Sequence, residues 1–406
     1  MTKVMSGVRV LEVAEYAMAP AAAAIMSDWG ANVLKIEHAE RGDPIRGLRA
    51  WGVAPDVGGF TYLWEPFNRG KRSMGLNIAT PEGRNILLRL AKNADVFITN
   101  FLPDARRNLG IDVADLRAVN PKIIYARGSA HGPKGPESER GGFDGLTYWQ
   151  RSGAGVSAMP ADTTDLITLP APAFGDSQTG TALAAGVSAA LFHRERTGEA
   201  LVVDVSLLAA GMWAMQASMV GANLSGMPEL PHSNHSTAPS PTSNYYRCSD
   251  GRFIALSMLQ SDRYWARLCT LMGRADLAND PRFCTIDKRA ENNRACILEL
   301  DSVFEQHPLP YWTEILAQQE GQWAIVQVAK DLNEDRQAWA NGYIQTVDYE
   351  DGRSLNLVST PIQFDESPPE LRPAPEHGAH TEEVLLEELG YDWDAILELK
   401  QQGVIS

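Results

Sequence analysis

A strand, a helix and a second strand follow one another before residue 40, and this alternation limits the chain's fold more than any other feature. Val8 to Ala14 is an apolar, β-branched run. Pro20 opens an alanine-rich helical stretch to Trp29, Gly30 stands where a helix C-cap belongs, and Ala31 to Glu37 returns as a strand. The theme recurs with Ser73 to Ile78 as strand, Thr80 and Pro81 as N-cap and first position of a helix to about Asn93, and Val96 to Asn100 as strand. Val113 to Val119 then reads as helix and Ile123 to Arg127 as strand. Such repetition predicts α/β architecture, a Rossmann-like open sheet of mostly parallel strands covered by helices.

From Gly128 to about Pro172 the chain carries too many Gly, Pro and Ser residues for a continuous element, which predicts a functional loop. Ser177 to Phe192 is a strongly apolar helix, Ala200 to Val205 a strand, and Leu207 to about Leu224 a Met- and Ala-rich helix. The stretch from Gly226 to Ser243 reads as a linker. Tyr245 to Arg247 and Phe253 to Ser257 flank a turn as a hairpin. Helical segments follow between Asp262 and Gln319, then strands at Trp323 to Val328 and Thr346 to Tyr349, and closing helices at Thr381 to Leu389 and Trp393 to Gln402. We therefore expect a large domain made of residues 1–220 and 330–406, with a smaller α+β domain, 226–325, inserted.

Charge narrows the partners. Lys and Arg number 36 against 51 Asp and Glu, a net charge of −15. A field of that sign repels nucleic acid and anionic lipid, so an anionic ligand has to meet a local basic patch. No stretch approaches the ~18 apolar residues of a membrane span, and no signal-peptide pattern opens the chain; a cytoplasmic protein is expected. The four cysteines form no C-x-x-C pair, and the histidines have no ligand spacing, so no metal is expected.

Asp176, in Phe174-Gly175-Asp176-Ser177, lies between a Pro- and Gly-bearing loop and a long apolar helix. A helix start favours an ionised carboxylate, so Asp176 is either a nucleophile or simply an N-cap. Arg69, Lys71 and Arg72 cluster before a strand, and Arg106 and Arg107 follow one. Either group could bind phosphate or lie on a solvated surface. The first strand lacks a G-x-G-x-x-G, which argues against an NAD or FAD site. No G-x-S-x-G elbow supports a serine hydrolase.

Taken together, "GVRVLEVAEYAMAPAAAAIMSDWGANVLKIE", "FNRGKRSMGLNI", "DVFITNFLPDARRNLGI", "GDSQTGTALAAGVSAALFHRERTGEALVVDVSLL" and "HGAHTEEVLLEELGYDWDAILELKQQGVIS" resemble the class III CoA-transferase (CaiB/BaiF-like) family, which shares its fold with the α-methylacyl-CoA racemases. The resemblance covers nearly the whole chain. It implies an interlocked homodimer with no tightly bound cofactor, coenzyme A and acyl-CoA being substrates and a carboxylic acid the acceptor. Asp176 becomes the catalytic aspartate, which would form an acyl anhydride and then an aspartyl-CoA thioester. Contacts to CoA would fall on Tyr16, Ala17, Met18, His38, Lys71, Arg72, Asn100 and Phe101, with Arg106 and Arg107 behind them. His38 stands where the formyl-CoA branch has Arg and Asn108 where the family has Arg, departures that bear on the phosphate contacts. Ala17 stands where the formyl-CoA branch has Gln, and that branch's run of four glycines in the small domain is missing, which argues against formate or oxalate as substrate. The racemase branch carries a histidine before the aspartate of a G-H-D motif. This chain reads Gly142-Phe143-Asp144, and phenylalanine moves no proton. A CoA-binding protein without turnover is the remaining alternative, and the intact Asp176 weighs against it.

Overall fold

The structure, a computed structural model, describes residues 2–48, 57 and 61–406. Its chain divides into two compact units, one of residues 1–156, 167–226 and 335–406, the other of 157–166 and 227–334.

The first unit is built on strands β1 (Arg9–Val13), β2 (Asn32–Glu37), β3 (Arg72–Gly75), β4 (Val96–Thr99), β5 (Ile124–Ser129) and β6 (Val202–Ser206). They form one parallel sheet in the order β3-β2-β1-β4-β5-β6. Side chains alternate between two buried faces, as a covered parallel sheet requires. Leu11, Leu34, Phe97 and Tyr125 join one core, and Val10, Val33, Val96 and Ile124 the other. The second core packs α1 (Met18–Asp28) against α7 (Phe174–Thr197). All eleven residues of α1 are buried, which its run of small side chains permits. Gly180 marks the closest approach, since a Cβ there would lie 2.6 Å from Ala21 Cβ and 2.7 Å from the Met18 carbonyl oxygen.

Between these lie α2 (Trp64–Asn68), α3 (Pro81–Ala91), α4 (Pro103–Leu109), α5 (Val113–Val119) and α6 (Ala154–Ser157), and α8 (Leu207–Ser225) follows β6. Thr80 caps α3 through Gly83 N–H, with Pro81 at the first helical position as expected. The stretch read as irregular, 128–172, contains α6 and a π-helical turn at Gly145–Gln150. The C-terminal residues return to the sheet: Ile405 bridges Leu76, and Val404 and Ile405 are buried in the first core.

The second unit has a three-stranded antiparallel sheet of β7 (Tyr245–Arg247), β8 (Phe253–Leu256) and β9 (Trp323–Val326). The predicted hairpin is β7 and β8, and β9 pairs with β8 through Leu256 and Trp323. Helices between Ser261 and Leu316 close its core around Tyr246, Trp265, Phe304 and Trp312.

Candidate active site

In the sheet order, β1 has β2 on one side and β4 on the other, so the chain's direction of travel reverses between β1 and β4. Open α/β sheets hold ligands in the crevice this creates at the strand carboxyl ends. Here it opens into a cavity of about 620 Å³, lined by Glu15 beyond β1, Asn100 beyond β4, Ser129 at the end of β5, and Asp176.

The turn from β1 into α1 is held from three sides. The Asn100 side chain accepts the Glu15 N–H at 3.0 Å and donates to the Glu15 carbonyl at 2.7 Å. Lys35 Nζ, wholly buried, donates to the Ala14 carbonyl at 2.7 Å and pairs with Glu12 and Asp43. Tyr16 adopts φ +63°, a left-handed conformation that costs a non-glycine residue of order 1–2 kcal/mol. Its N–H donates to Asp43 Oδ1 at 3.1 Å.

Asp176 is the third residue of α7 rather than its N-cap, a position that falls to Ala173 with φ +58°. The amide of Gly175 donates to Asp144 Oδ2 at 3.0 Å, while Asp144 Oδ1 accepts the Gly145 N–H at 2.8 Å. Gly175 is needed for this contact, because a Cβ would sit 2.5 Å from the Tyr148 ring. Burial, and then the negative charge of Asp144, push the Asp176 carboxyl up to about 7, with no hydrogen bond opposing them. The helix-start argument for a fully ionised group is therefore outweighed: desolvation exceeds the dipole's pull. Among the described residues the Asp176 carboxyl has no hydrogen-bonded partner, so its lone pairs face the part-enclosed cavity unengaged.

The other residues singled out in the sequence divide. Tyr16, Met18, Asn100, Phe101 and Arg106 line the Asp176 cavity. His38 lines a neighbouring cavity of about 210 Å³, and Phe101 and Glu15 border both. Ala17 packs instead among Ile45, Trp64 and Phe67. Lys71 is buried: its Nζ meets Glu12 Oε2 at 2.6 Å, the Pro20 carbonyl at 3.0 Å and Asn68 at 3.0 Å. Burial and the neighbouring Lys35 charge lower its pKa against the pull of Glu12. Arg72 stands at the amino end of β3, paired with Glu388 at 2.7 Å and Glu383 at 3.2 Å. Arg107 is exposed and paired with Asp104 and Glu139. None of these four lines either cavity. Lys71 and Arg72 are adjacent in sequence, but strand alternation turns them to different surroundings, one into the interior and one outward. Sequence reasoning weighed Asp144 only as part of a racemase motif and missed its contact with Gly175, for which no local signal exists. Among the described residues no cluster of His, Cys, Asp or Glu is placed to hold a metal ion.

A part-buried carboxylate at the crevice of a Rossmann-like parallel sheet gives the chain the layout of an α/β enzyme with a ligand site at the strand carboxyl ends. Comparison with known proteins makes the class specific. The model of CoA-transferase family III matches residues 5–381. The chain is 32% identical over 402 residues to (R)-2-hydroxy-4-methylpentanoate CoA-transferase of Clostridioides difficile, covering 99% of each. It is 32% identical to cinnamoyl-CoA:phenyllactate CoA-transferase of Clostridium sporogenes, over 98% of this chain and 97% of that one. A CAIB/BAIF family protein from Brucella suis superposes with a TM-score of 0.83 at 26% identity, covering 95% of this chain and 100% of that one. The chain belongs to CoA-transferase family III and is a CoA-transferase.

Proposed function

We propose that this enzyme moves CoA from an acyl-CoA to a carboxylic acid through covalent intermediates on Asp176. The Asp176 carboxylate attacks the thioester carbonyl, expelling CoA thiolate and leaving an acyl-aspartyl anhydride. The thiolate then attacks the aspartyl carbonyl, releasing the first acid as its carboxylate and leaving an aspartyl-CoA thioester. An acceptor carboxylate attacks that thioester carbonyl to form a new anhydride and free thiolate. Attack of the thiolate on the acceptor's acyl carbonyl yields the new acyl-CoA and restores Asp176. Each step breaks one acyl bond and forms another, so no proton, metal or redox partner is required.

The observation that carries this reading is the Asp176 carboxyl itself, part-buried beside Asp144 and, among the described residues, without a hydrogen-bonded partner. Burial strips water from the nucleophile, and a pKa near 7 leaves a substantial ionised fraction at neutral pH while making the carboxylate more basic than an exposed one. The CoA chain is assigned to the two adjoining cavities. Its thiol end would lie near Tyr16, Met18 and Asn100, and its nucleotide end would pass Phe101 and Arg106 toward His38. Phe143 beside Asp144 supports transfer over racemisation, since its ring offers no base for an α-proton. We assign the large-domain role to the unit carrying the parallel sheet and the small-domain role to the other. Two copies of the chain are proposed to form the working enzyme, and the exposed apolar side of α8, with Trp213 and Leu224, supports that assembly. We assign the reaction to the cytoplasm; among the described residues no helix is long and apolar enough to cross a membrane.

The test is chemical. Incubation with an acyl-CoA followed by hydroxylamine should tag the peptide containing Asp176, as read by mass spectrometry, and Asp176→Ala should lose exchange while keeping its fold and CoA binding. An Asp176→Ala protein that still exchanges CoA would falsify the mechanism.

A further inference from the structure

The surroundings of Asp176 carry information about what is transferred, resting on the transferase reading above. Asp144 connects the segment 142–149 to the first turn of α7 through its bond to Gly175. On the same segment, Phe143 is 57% and Leu146 66% exposed, and both line the Asp176 cavity. Their neighbours on the π-helical turn, Thr147 and Tyr148, are buried, so the turn offers Leu146 to the cavity while its other side anchors in the protein. Tyr16 meets the Phe143 ring edge-on, with centroids 5.4 Å apart, and Met18 completes an apolar surface on the α1 side. Phe143 and Leu146 are thus large apolar groups left exposed beside a carboxylate, a surface that an apolar ligand would cover.

Charge points the same way. The groups facing the nucleophile's turn are Asp144, aromatic rings and backbone. Of the arginines lining the cavity, Arg106 is held by Asp112 at 3.3 Å and by the Phe101 carbonyl at 2.9 Å. Arg127 is paired with Asp204, and Arg140 stands at the exposed rim beside Glu137. A second carboxylate on the acid would thus enter a cavity that already contains Glu15, Asp176 and Asp204, and among the described residues no cation acts on Asp176 to receive it.

We propose that the transferred acyl group, and the acceptor that replaces it, is that of a monocarboxylic acid with an apolar or aromatic side chain, seated on Phe143, Leu146 and Tyr16 beside Asp176. Phe143 then determines specificity through its contact with that side chain, and Asp176 alone does the chemistry.

The full-length protein is assayed with hexanoyl-CoA and glutaryl-CoA as donors and with hexanoate, 3-phenylpropanoate, succinate and glutarate as acceptors, products being read by mass spectrometry. The expected result is a kcat/KM at least tenfold higher for the two apolar acceptors than for the two dicarboxylates. Because Phe143 is exposed, its variants should melt at the wild-type temperature. Phe143→Ala should lower kcat/KM for 3-phenylpropanoate by tenfold or more with little change for glutarate, and Phe143→Arg should reverse the preference toward glutarate. Equal or better use of dicarboxylates by the wild-type enzyme, or an unchanged ratio in both Phe143 variants, overturns this proposal alone. Absence of exchange in every combination, with no hydroxylamine-trapped Asp176, overturns the transferase reading and this proposal with it.

Discussion

Asp144 and Gly175 are joined by a 3.0 Å hydrogen bond at the start of the helix that carries Asp176, which fixes a carboxylate against the residue next to Asp176. The same contact that orients the turn therefore raises the Asp176 pKa. Activity should rise with pH through about 7 as Asp176 ionises, so kcat/KM plotted against pH should show an acid limb there. Asp144→Asn keeps an acceptor for Gly175 but removes the charge, and should move that limb to lower pH. Stability should run the other way. The folded protein holds this proton more tightly than the unfolded chain, so ionisation costs stability as pH climbs from about 4 toward 7. The melting temperature of Asp176→Asn should gain on wild type across that interval. A limb unmoved by Asp144→Asn would remove Asp144 from the electrostatic account.

Lys71 and Arg72 looked alike in the sequence, but their replacements should behave differently. Lys71→Met takes one cation from the buried group formed with Glu12, Lys35 and Asp43, all of which are removed from water. Breaking such a pair costs about 3 kcal/mol or more, to be read as a lower urea midpoint with the KM for acyl-CoA little changed. Arg72→Gln loses part-exposed pairs worth at most about 1 kcal/mol. A several-fold rise in KM for Lys71→Met, with stability intact, would return Lys71 to the phosphate site.

Tyr16 and Asp43 are 27 positions apart in sequence and form one device. Holding Tyr16 at φ +63° is the work of the Asp43 acceptor, so Asp43→Ala should release the β1–α1 turn and lower kcat by roughly tenfold, equivalent to about 1.4 kcal/mol. Asparagine tolerates the left-handed region. The Asp43→Ala loss should therefore shrink when measured in a Tyr16→Asn background. Equal losses in both backgrounds would mean that Asp43 acts only by neutralising Lys35.

The parallel sheet was legible because β1, β2 and β4 are short runs rich in Val, Leu and Ile that alternate with helical stretches, and this alternation survives tertiary context. Asp176 was legible as a residue between a breaker-rich loop and an apolar helix. Its place within the helix was not, since α7 starts at Phe174 behind Ala173 with φ +58°, a conformation that alanine does not announce. The turn at Gly145–Gln150 was hidden by glycines and prolines on its flanks. The ion pairs that take up Arg72, with Glu383 and Glu388 more than 300 positions away, and the contacts of Asp43 with Tyr16 and Asp144 with Gly175 join segments that no local pattern connects.

Gly180 sits where α1 and α7 cross, and Gly180→Val should force the helices apart, since even its Cβ would meet Ala21 and the Met18 carbonyl. Overpacking of this kind costs about 1–3 kcal/mol. The displacement would also move Met18 and Asp176, which line one cavity from the two helices. Both the urea midpoint and kcat should fall. A variant with lowered stability and unchanged kcat would show that the helix crossing does not set the distance between the β1–α1 turn and the nucleophile.

The proposed dimer is tested at α8. Met212, Trp213, Met219, Val220 and Leu224 are all exposed, Trp213 at 74% and Leu224 at 84%. At 100° per residue these five positions fall on one side of the helix, a stripe about 140° wide. Each large side chain left in water forgoes about 1.5–3 kcal/mol that burial would supply, so the face gains stability by meeting another surface. A second copy of this chain is the proposed occupant, and light scattering at micromolar concentration should give twice the chain mass. Trp213→Asp with Leu224→Asp places two charges in the stripe without touching the sheet, and should shift the mass toward one chain while circular dichroism stays unchanged. Loss of CoA exchange in the same preparation would mean that the site needs both copies, and retained exchange by a monomer would confine the reaction to one chain. A wild-type protein of single-chain mass would remove the dimer from the proposed function.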